Sequence, residues 1–428
     1  MIKHIAWTVA AMSGVLLVAP SAWADNALGG SSSQFARDRN ISVRQRPRPG
    51  FEANGAHLGG FTLFPRVTVS VTRDDNIYAT QNGAVADTIV QVNPEVLLQS
   101  NWARNALDLY ARAFINRYIE HTTEDANSYV FGGTGRLDVG RTSNITAGAS
   151  WGRLIEPRTA PTAPGAAAEP TLYDLAQANL GALAELNRMR FEATGTFADY
   201  TYFNDTTTSG GTLVEDFRDR DEWTETGRAE YAVSPATSVY LTGGADQRDY
   251  RLKPPTVAFD QTSQGYNVQA GTNFDITHLI RGEVQVGWLW QSYDDPRFRD
   301  TSGLAMNGAV DWFPTELTTV NFSASRSLQE ATIPGASGFL ATAVGARIDH
   351  ELLRNVILTA QGGYGWDNYR GVDRTDKLPS AGVSATYMVN RNAGLTFSYN
   401  YLRLDSQGTA RNPSYTDNRI AAALTLQF

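Results

Sequence analysis

The residues that offer chemistry are the paired carboxylates Asp74-Asp75 and Asp294-Asp295, five histidines, and a series of charges spaced two apart along much of the chain. His4, His57, His121, His278 and His350 stand apart from one another. His350-Glu351 lacks the second histidine at helical spacing that a zinc protease needs. With no cysteine there is no disulfide, thiolate metal site or cysteine nucleophile. Gly132-Gly133-Thr134-Gly135 sits in a strand pattern with no helix after it, so it does not cradle a phosphate. Adjacent acids on a loop seldom converge, and both aspartate pairs read as solvated turn residues rather than an acid/base dyad or a calcium site. No nucleophile and base can be assembled, so neither an enzyme, a cofactor nor a metal is expected.

The alternating charges are more informative. Arg66, Asp108, Arg112, Arg136, Asp138, Glu192, Arg228, Glu230, Glu283, Asp311, Arg347 and Asp349, with the amide Asn116, sit at period two, nearly all between apolar or small neighbours. Leu107, Leu109, Ala111, Ala113 and Ile115, for example, interleave with Asp108, Tyr110, Arg112 and Asn116. Such spacing puts one set of side chains on each face of a strand. If the apolar face meets lipid, the polar face lines a lumen, joined there by Asn267, Gln269 and Asn321. Two roles are open to these charges. They can pair across strands and stiffen the wall, or they can form a transverse field and hydrogen-bond a passing hydrophile.

The elements that position them are strands. From Phe61 onward alternating runs of about ten residues recur between turn residues, the pattern of a transmembrane barrel. The runs number about eighteen, with sixteen as the alternative count, for instance at residues 61–73, 105–120, 237–250, 301–314 and 377–390. Short links such as Asn187 to Arg188 alternate with longer ones such as Glu156 to Thr171 and Asn204 to Asp221. Bacterial barrels have short periplasmic turns and longer outer loops, so this all-β, antiparallel up-and-down barrel is expected to hold both termini in the periplasm. The long loops are read as outward and solvated. Aromatics near run ends (Trp151, Phe203, Tyr231, Trp312, Tyr387) suit interfacial girdles. Composition agrees: 38 Gly, 45 aromatics (18 Tyr, 18 Phe and 9 Trp) and 19% charged residues give a mean hydropathy of -0.31. An alternating barrel dilutes its apolar signal in this way.

The two ends of the chain carry targeting signals. Residues 1–24 read as a secretory signal, with basic Lys3, an apolar stretch from Ile5 to Ala19, and Ala22-Trp23-Ala24 as the small-x-small cleavage site. Residues 25–57, rich in Arg, Pro, Ser and Gly, read as a flexible, solvated periplasmic segment ahead of a barrel domain at 58–428. In the last run Ile420, Ala422, Leu424, Leu426 and Phe428 form one apolar face ending on phenylalanine. This resembles the signal read by the outer-membrane barrel assembly machinery, which adds strands to an open sheet edge. The net charge of -8, becoming -9 once Lys3 leaves with the signal, argues against nucleic acid as a partner.

The segment Gly60-Phe61-Thr62-Leu63-Phe64-Pro65 through Thr72-Arg73-Asp74-Asp75-Asn76-Ile77-Tyr78 resembles the opening of the β-barrel porin family called type 2, and weaker motifs extend the resemblance to Phe428. Some relatives are encoded with exopolysaccharide machinery, which implies polysaccharide or periplasmic export components as partners alongside outer-membrane lipid. No site residue carries over. The expected function is a porin-like channel for hydrophilic solutes in the outer membrane of a Gram-negative cell, with export of a surface polymer as one cargo. The alternative is a structural or surface-interaction barrel with an occluded lumen.

Overall fold

Period-two patterning folds here as read. The computed structural model describes residues 35, 40–254, 256–333 and 335–428. The signal read over residues 1–24, with Ala22 and Ala24, lies outside the described residues, as do 25–34 and 36–39 of the following segment.

Eighteen long strands form the wall. They are β1 (Phe61–Asp74), β2 (Asp87–Ser100), β3 (Ala106–Tyr118), β4 (Ala126–Val139), β5 (Ser143–Ile155), β6 (Leu172–Leu186), β7 (Met189–Tyr202), β8 (Arg220–Ser234) and β9 (Thr237–Tyr250). There follow β10 (Ser263–Ile276), β11 (Ile280–Tyr293), β12 (Thr301–Thr315), β13 (Thr318–Gln329), β14 (Gly338–Leu353), β15 (Val356–Arg370), β16 (Thr375–Met388), β17 (Ala393–Gln407) and β18 (Tyr415–Gln427). Each pairs antiparallel with the next in sequence, and β18 closes on β1 through Leu426 opposite Val67 and Ile420 opposite Arg73. Closure leaves no free edge, which removes the cost of unpaired backbone groups in lipid. The count is therefore eighteen, not the alternative sixteen. A three-residue strand, Ala56–Leu58, pairs with the start of β1.

Side-chain parity survives the whole circuit. Arg66 faces Glu95, which faces Arg112, and on the far side of the seam Thr68 faces Thr425. The opposite face carries Val69, Val71, Leu109, Phe191, Val286, Trp288, Phe397, Ile420, Leu424, Leu426 and Phe428, all exposed. That is a lipid-facing wall, with large apolar side chains where a soluble domain would bury them. Among the girdle candidates Phe203, Tyr231, Trp312 and Tyr387 are exposed on it.

The short turns are set by local chemistry. Asn105 and Asn187 take left-handed backbone (φ 62° and 55°), a conformation asparagine tolerates better than most residues. Asn105 and Asp138 also exchange hydrogen bonds, each accepting from the other's amide at 3.2 and 3.0 Å, and so tie neighbouring turns together. At this same end Gly55 N–H donates to the Phe428 carbonyl at 3.2 Å.

Two expectations need correction. The loop Glu156 to Thr171 is not outward: Thr332 of the β13–β14 loop donates to the Thr162 carbonyl at 3.3 Å, and Tyr415 on β18 donates to the Thr159 carbonyl at 3.2 Å, while the tip of the loop Asn204 to Asp221 stays exposed over residues 208–212. In an eighteen-strand circuit the β5–β6 loop reaches these partners by crossing the barrel mouth. Burial of apolar and hydroxyl groups from several loops against one another drives the fold-in. Nor is residues 40–55 a solvated tail. Val43 is fully buried, and its N–H donates to Thr319 Oγ1 at 3.0 Å.

Candidate functional site

The lumen has three levels. At the long-loop end it is filled by loops held through buried ion pairs. Arg218, 4% exposed, sits between Glu156 (2.7 Å) and Glu215 (2.9 Å) and stacks 3.9 Å over the Tyr202 ring. Burial raises the Glu215 carboxyl above its ordinary value, with Arg218 working against that. Tyr202 in turn stacks on Tyr173 with ring centres 5.1 Å apart. Arg158, from the same loop as Glu156, pairs with the buried Glu124 at 2.7 Å. Across the mouth Glu330 pairs with Arg248 and accepts from Tyr250 Oη at 2.5 Å. Between these groups lies a small cavity of about 30 Å³, bounded by Arg220, Gln261 and Thr332.

At mid-height the wall from β4 to β18 is uncharged. Its inward positions are mostly Thr, Ser, Asn, Gln, Gly or Ala, as in Thr134, Ser150, Asn179, Asn267, Gln285 and Asn307, with Val130 and Leu289 as apolar exceptions. Amides and hydroxyls both donate and accept, so such a surface exchanges hydrogen bonds with a solute without a strong electrostatic bias. Charge at this level stays on β1 to β3, where Arg66 and Arg112 flank Glu95.

The short-turn end carries a belt of both signs. Arg228 bridges Glu230 (2.9 Å) and Glu283 (2.7 Å) and lies 3.6 Å over the Tyr240 ring. Asp311 holds Arg281 at 3.1 Å and accepts from Asn321 at 2.9 Å. Arg347 meets Asp349 at 3.0 Å. Onto this belt the N-terminal segment is laid. Arg44 donates to Asp349 at 3.0 Å and to Thr359 Oγ1 at 3.3 Å. Arg46 and Arg48 both reach Glu351, at 3.2 and 2.9 Å. Arg281 donates to the Asn40 carbonyl and to Gln45 Oε1, each at 2.7 Å.

Every residue assigned to the lumen from the sequence falls on this inward face by register. They do not converge on one site. Arg136 and Asp138 pair at 2.9 Å, and Asn116 accepts from Gln91 at 3.1 Å. Glu192 pairs with Arg190, and Arg112 lies 5.1 Å over the Tyr110 ring. Asp108 stands opposite Thr134, with Gln99 on its other side. Most of these charges pair with the second residue along their own strand, as in Arg136–Asp138, Arg190–Glu192, Arg228–Glu230 and Arg347–Asp349, while Arg228–Glu283 and Arg281–Asp311 run across strands. Arg281 and Glu351 were missed although they continue the same alternation. The arginines of the leading segment gave no sign of their partners.

Of the paired acids Asp75 and Asp294 are exposed, as read, whereas Asp74 and Asp295 are buried. Asp74 and Asp417 share Arg419, at 2.9 and 2.7 Å, while Asp75 binds Asn418. Oxygens of Asp74, Asp75 and Asp417 lie within 4.8 Å of one another, but the guanidinium already supplies the countercharge a cation would bring. Asp295 accepts from Arg297 Nε at 2.8 Å and from the Asp260 amide at 3.1 Å, which clasps two loops. A larger apolar depression, of about 810 Å³ over Ile348, Leu358, Val383 and Phe397, lies on the outer wall and is no part of the lumen.

A family model described as Putative beta-barrel porin 2 matches residues 48–428. No curated protein matches the chain. Solved structures similar to it include the outer membrane protein opdK from Pseudomonas aeruginosa (11% identity, TM-score 0.45, covering 86% of this chain and 99% of that one). OccAB3 of Acinetobacter baumannii is also similar (11%, TM-score 0.48, 87% and 100%), as is OccK3, or OpdO, of Pseudomonas aeruginosa (12%, TM-score 0.46, 87% and 97%). With the model spanning every strand of the closed wall, the chain belongs to the Putative beta-barrel porin 2 family, and its structure is a porin-like outer-membrane β-barrel.

Proposed function

We propose that the barrel is a gated channel for small hydrophilic solutes, with its short-turn end in the periplasm. The observation that carries this reading is the uncharged belt of amides, hydroxyls and glycines at mid-height. A wall meant only to be filled gains most from apolar or charge-paired packing; one meant to be wet presents groups that replace a solute's water. The two filled ends are then gates. Export of a long polymer, expected from the family resemblance, finds no support in a mouth crossed by several packed loops. In this reading residues 1–24 are the export signal and the apolar face ending on Phe428 is what the assembly machinery engages.

Single-channel recording of the purified full chain in a planar bilayer tests the proposal. Rare or small conductance events are expected from the native barrel. Larger ones should follow Arg218→Ala, which strips the mouth loops of their central cation. A folded barrel silent in both forms sinks the channel reading. It would favour an occluded structural barrel, a second reading that the loops and segment filling the two ends support.

A further inference from the structure

The contacts of the N-terminal segment point to more than a plug. Asp349 and Glu351, both under one-tenth exposed, sit on the inner face of β14 with the hydroxyls of Thr319 and Thr359 beside them. On the wall, Arg228, Arg281 and Arg347 answer Glu230, Glu283, Asp311 and Asp349. Among the described residues the cations that pair with Glu351 come from the segment alone. A carboxylate set into a wall with no wall cation of its own is costly unless something charged arrives to meet it.

What arrives is always the same group. Three arginines in alternate positions, Arg44, Arg46 and Arg48, direct their guanidiniums at two carboxylates. Arg44 divides its donors between Asp349 Oδ1 and Thr359 Oγ1, a planar donor set meeting a carboxylate and a hydroxyl. Arg48 adds a 2.7 Å bond to the Val43 carbonyl, which fixes the segment's own turn. Arg44 and Arg46 keep 27% and 29% of their side-chain surface in water. They are held at the rim of the lumen and not sealed in its wall. Their release leaves the barrel's backbone pairing whole.

We propose that Asp349 and Glu351, with Thr319 and Thr359, form a binding site for guanidinium-bearing solutes, which the chain's own Arg44, Arg46 and Arg48 occupy as a tethered stand-in. A solute guanidinium entering from the short-turn end competes for the two carboxylates and lifts the segment from the lumen. The cargo thereby opens its own gate. The inference rests on the channel reading for transport, but binding and displacement can be read without it.

The absence of native cysteine allows a direct test in the full-length chain. In a Val43→Cys variant the thiol is buried under the segment, so its labelling by a maleimide reports segment release. L-Argininamide is expected to speed labelling about tenfold, since a ligand shifts a two-state equilibrium by its differential affinity. L-Citrullinamide, with a neutral urea in place of the guanidinium, should leave the rate unchanged. Asp349→Asn with Glu351→Gln should raise the basal rate and abolish the response to argininamide. Equal acceleration by citrullinamide, or a response that survives the two wall substitutions, overturns the site. If argininamide speeds labelling yet no variant conducts in a bilayer, the site stands and the channel reading falls. Should the doubly substituted wall fail to fold, Thr359→Val alone, which removes one acceptor of Arg44, must weaken the argininamide response by at least about threefold, and an unweakened response overturns the proposal.

Discussion

The two closures of the lumen are built differently. At the long-loop end the plug is made of loops anchored at both ends to wall strands, and its central ion pair, Arg218 with Glu156 and Glu215, is buried. At the short-turn end it is a segment that runs on covalently into the first wall strand, held by Arg44 and Arg46, which keep roughly a quarter of their surface in water, and by Arg48, which keeps about a tenth. Removing one partner of a buried pair costs far more than removing one partner of an exposed pair, because the remaining charge is left in low dielectric. The first closure therefore behaves as structure, and the second as a latch.

Arg218→Ala is the change expected to break this contrast most. It leaves two buried carboxylates unpaired and strips the stacking partner from Tyr202, at a cost of about 3–5 kcal/mol to the loop network. Hydrogen exchange should accelerate across residues 156–171 and 204–219 while the wall stays protected. Loops that remain as slow as before would mean that the pair does not hold the mouth. Next in size is a pair of responses to salt. Raising KCl toward 1 M shortens the Debye length to about 3 Å. Maleimide labelling of a Val43→Cys variant should rise several-fold, while exchange in the mouth loops should hardly move. A latch insensitive to salt would erase the distinction.

Smaller effects sharpen it further. A Cβ at Gly271 would lie 2.3 Å from the Tyr240 ring, which is clamped beneath Arg228. Gly271→Ala should displace that ring and cost about 1–3 kcal/mol in thermal unfolding. It should also loosen the Arg228–Glu283 pair next to the latch. A melt indistinguishable from native would show that the belt tolerates repacking. Smallest is the clasp at Asp295, where Arg297 and two backbone amides hold the carboxyl well below its ordinary value. A group whose folded value is depressed contributes stability above its unfolded value, about 3.9, and loses it as pH falls through the folded one. The loops at 251–262 and 294–300 should accordingly stay joined at pH 5 and separate only in strong acid, as an NMR titration of the Asp295 carboxyl would show. Separation already at pH 5 would contradict the assignment.

How far the chain could be read from its letters follows the range of the interactions. The strand bounds at residues 237–250 coincide with the folded strand, and those at 301–314 and 377–390 differ by one or two residues. Alternation and turn residues are local, and a one-residue slip would put every side chain of a strand on the wrong face. By register the same parity puts the lumen candidates on one face of the wall. It did not say that Arg228 would bridge Glu230 and Glu283, because cross-strand register between β8, β9 and β11 depends on turns elsewhere.

What the amino-acid order determined by itself is a wall: eighteen alternating runs with one face for lipid and one for water, closed by a final strand whose apolar face ends on Phe428. Tertiary structure alone decided what stands inside it. Arg44 meets Asp349 across 305 positions of chain, and Thr332 meets Thr162 across 170. No periodicity links such residues. They become neighbours only once the barrel has closed and its hollow interior lets a loop or a leading segment reach carboxylates and carbonyls on the far wall. Burial and ion pairing there exceed what water offers the same groups outside.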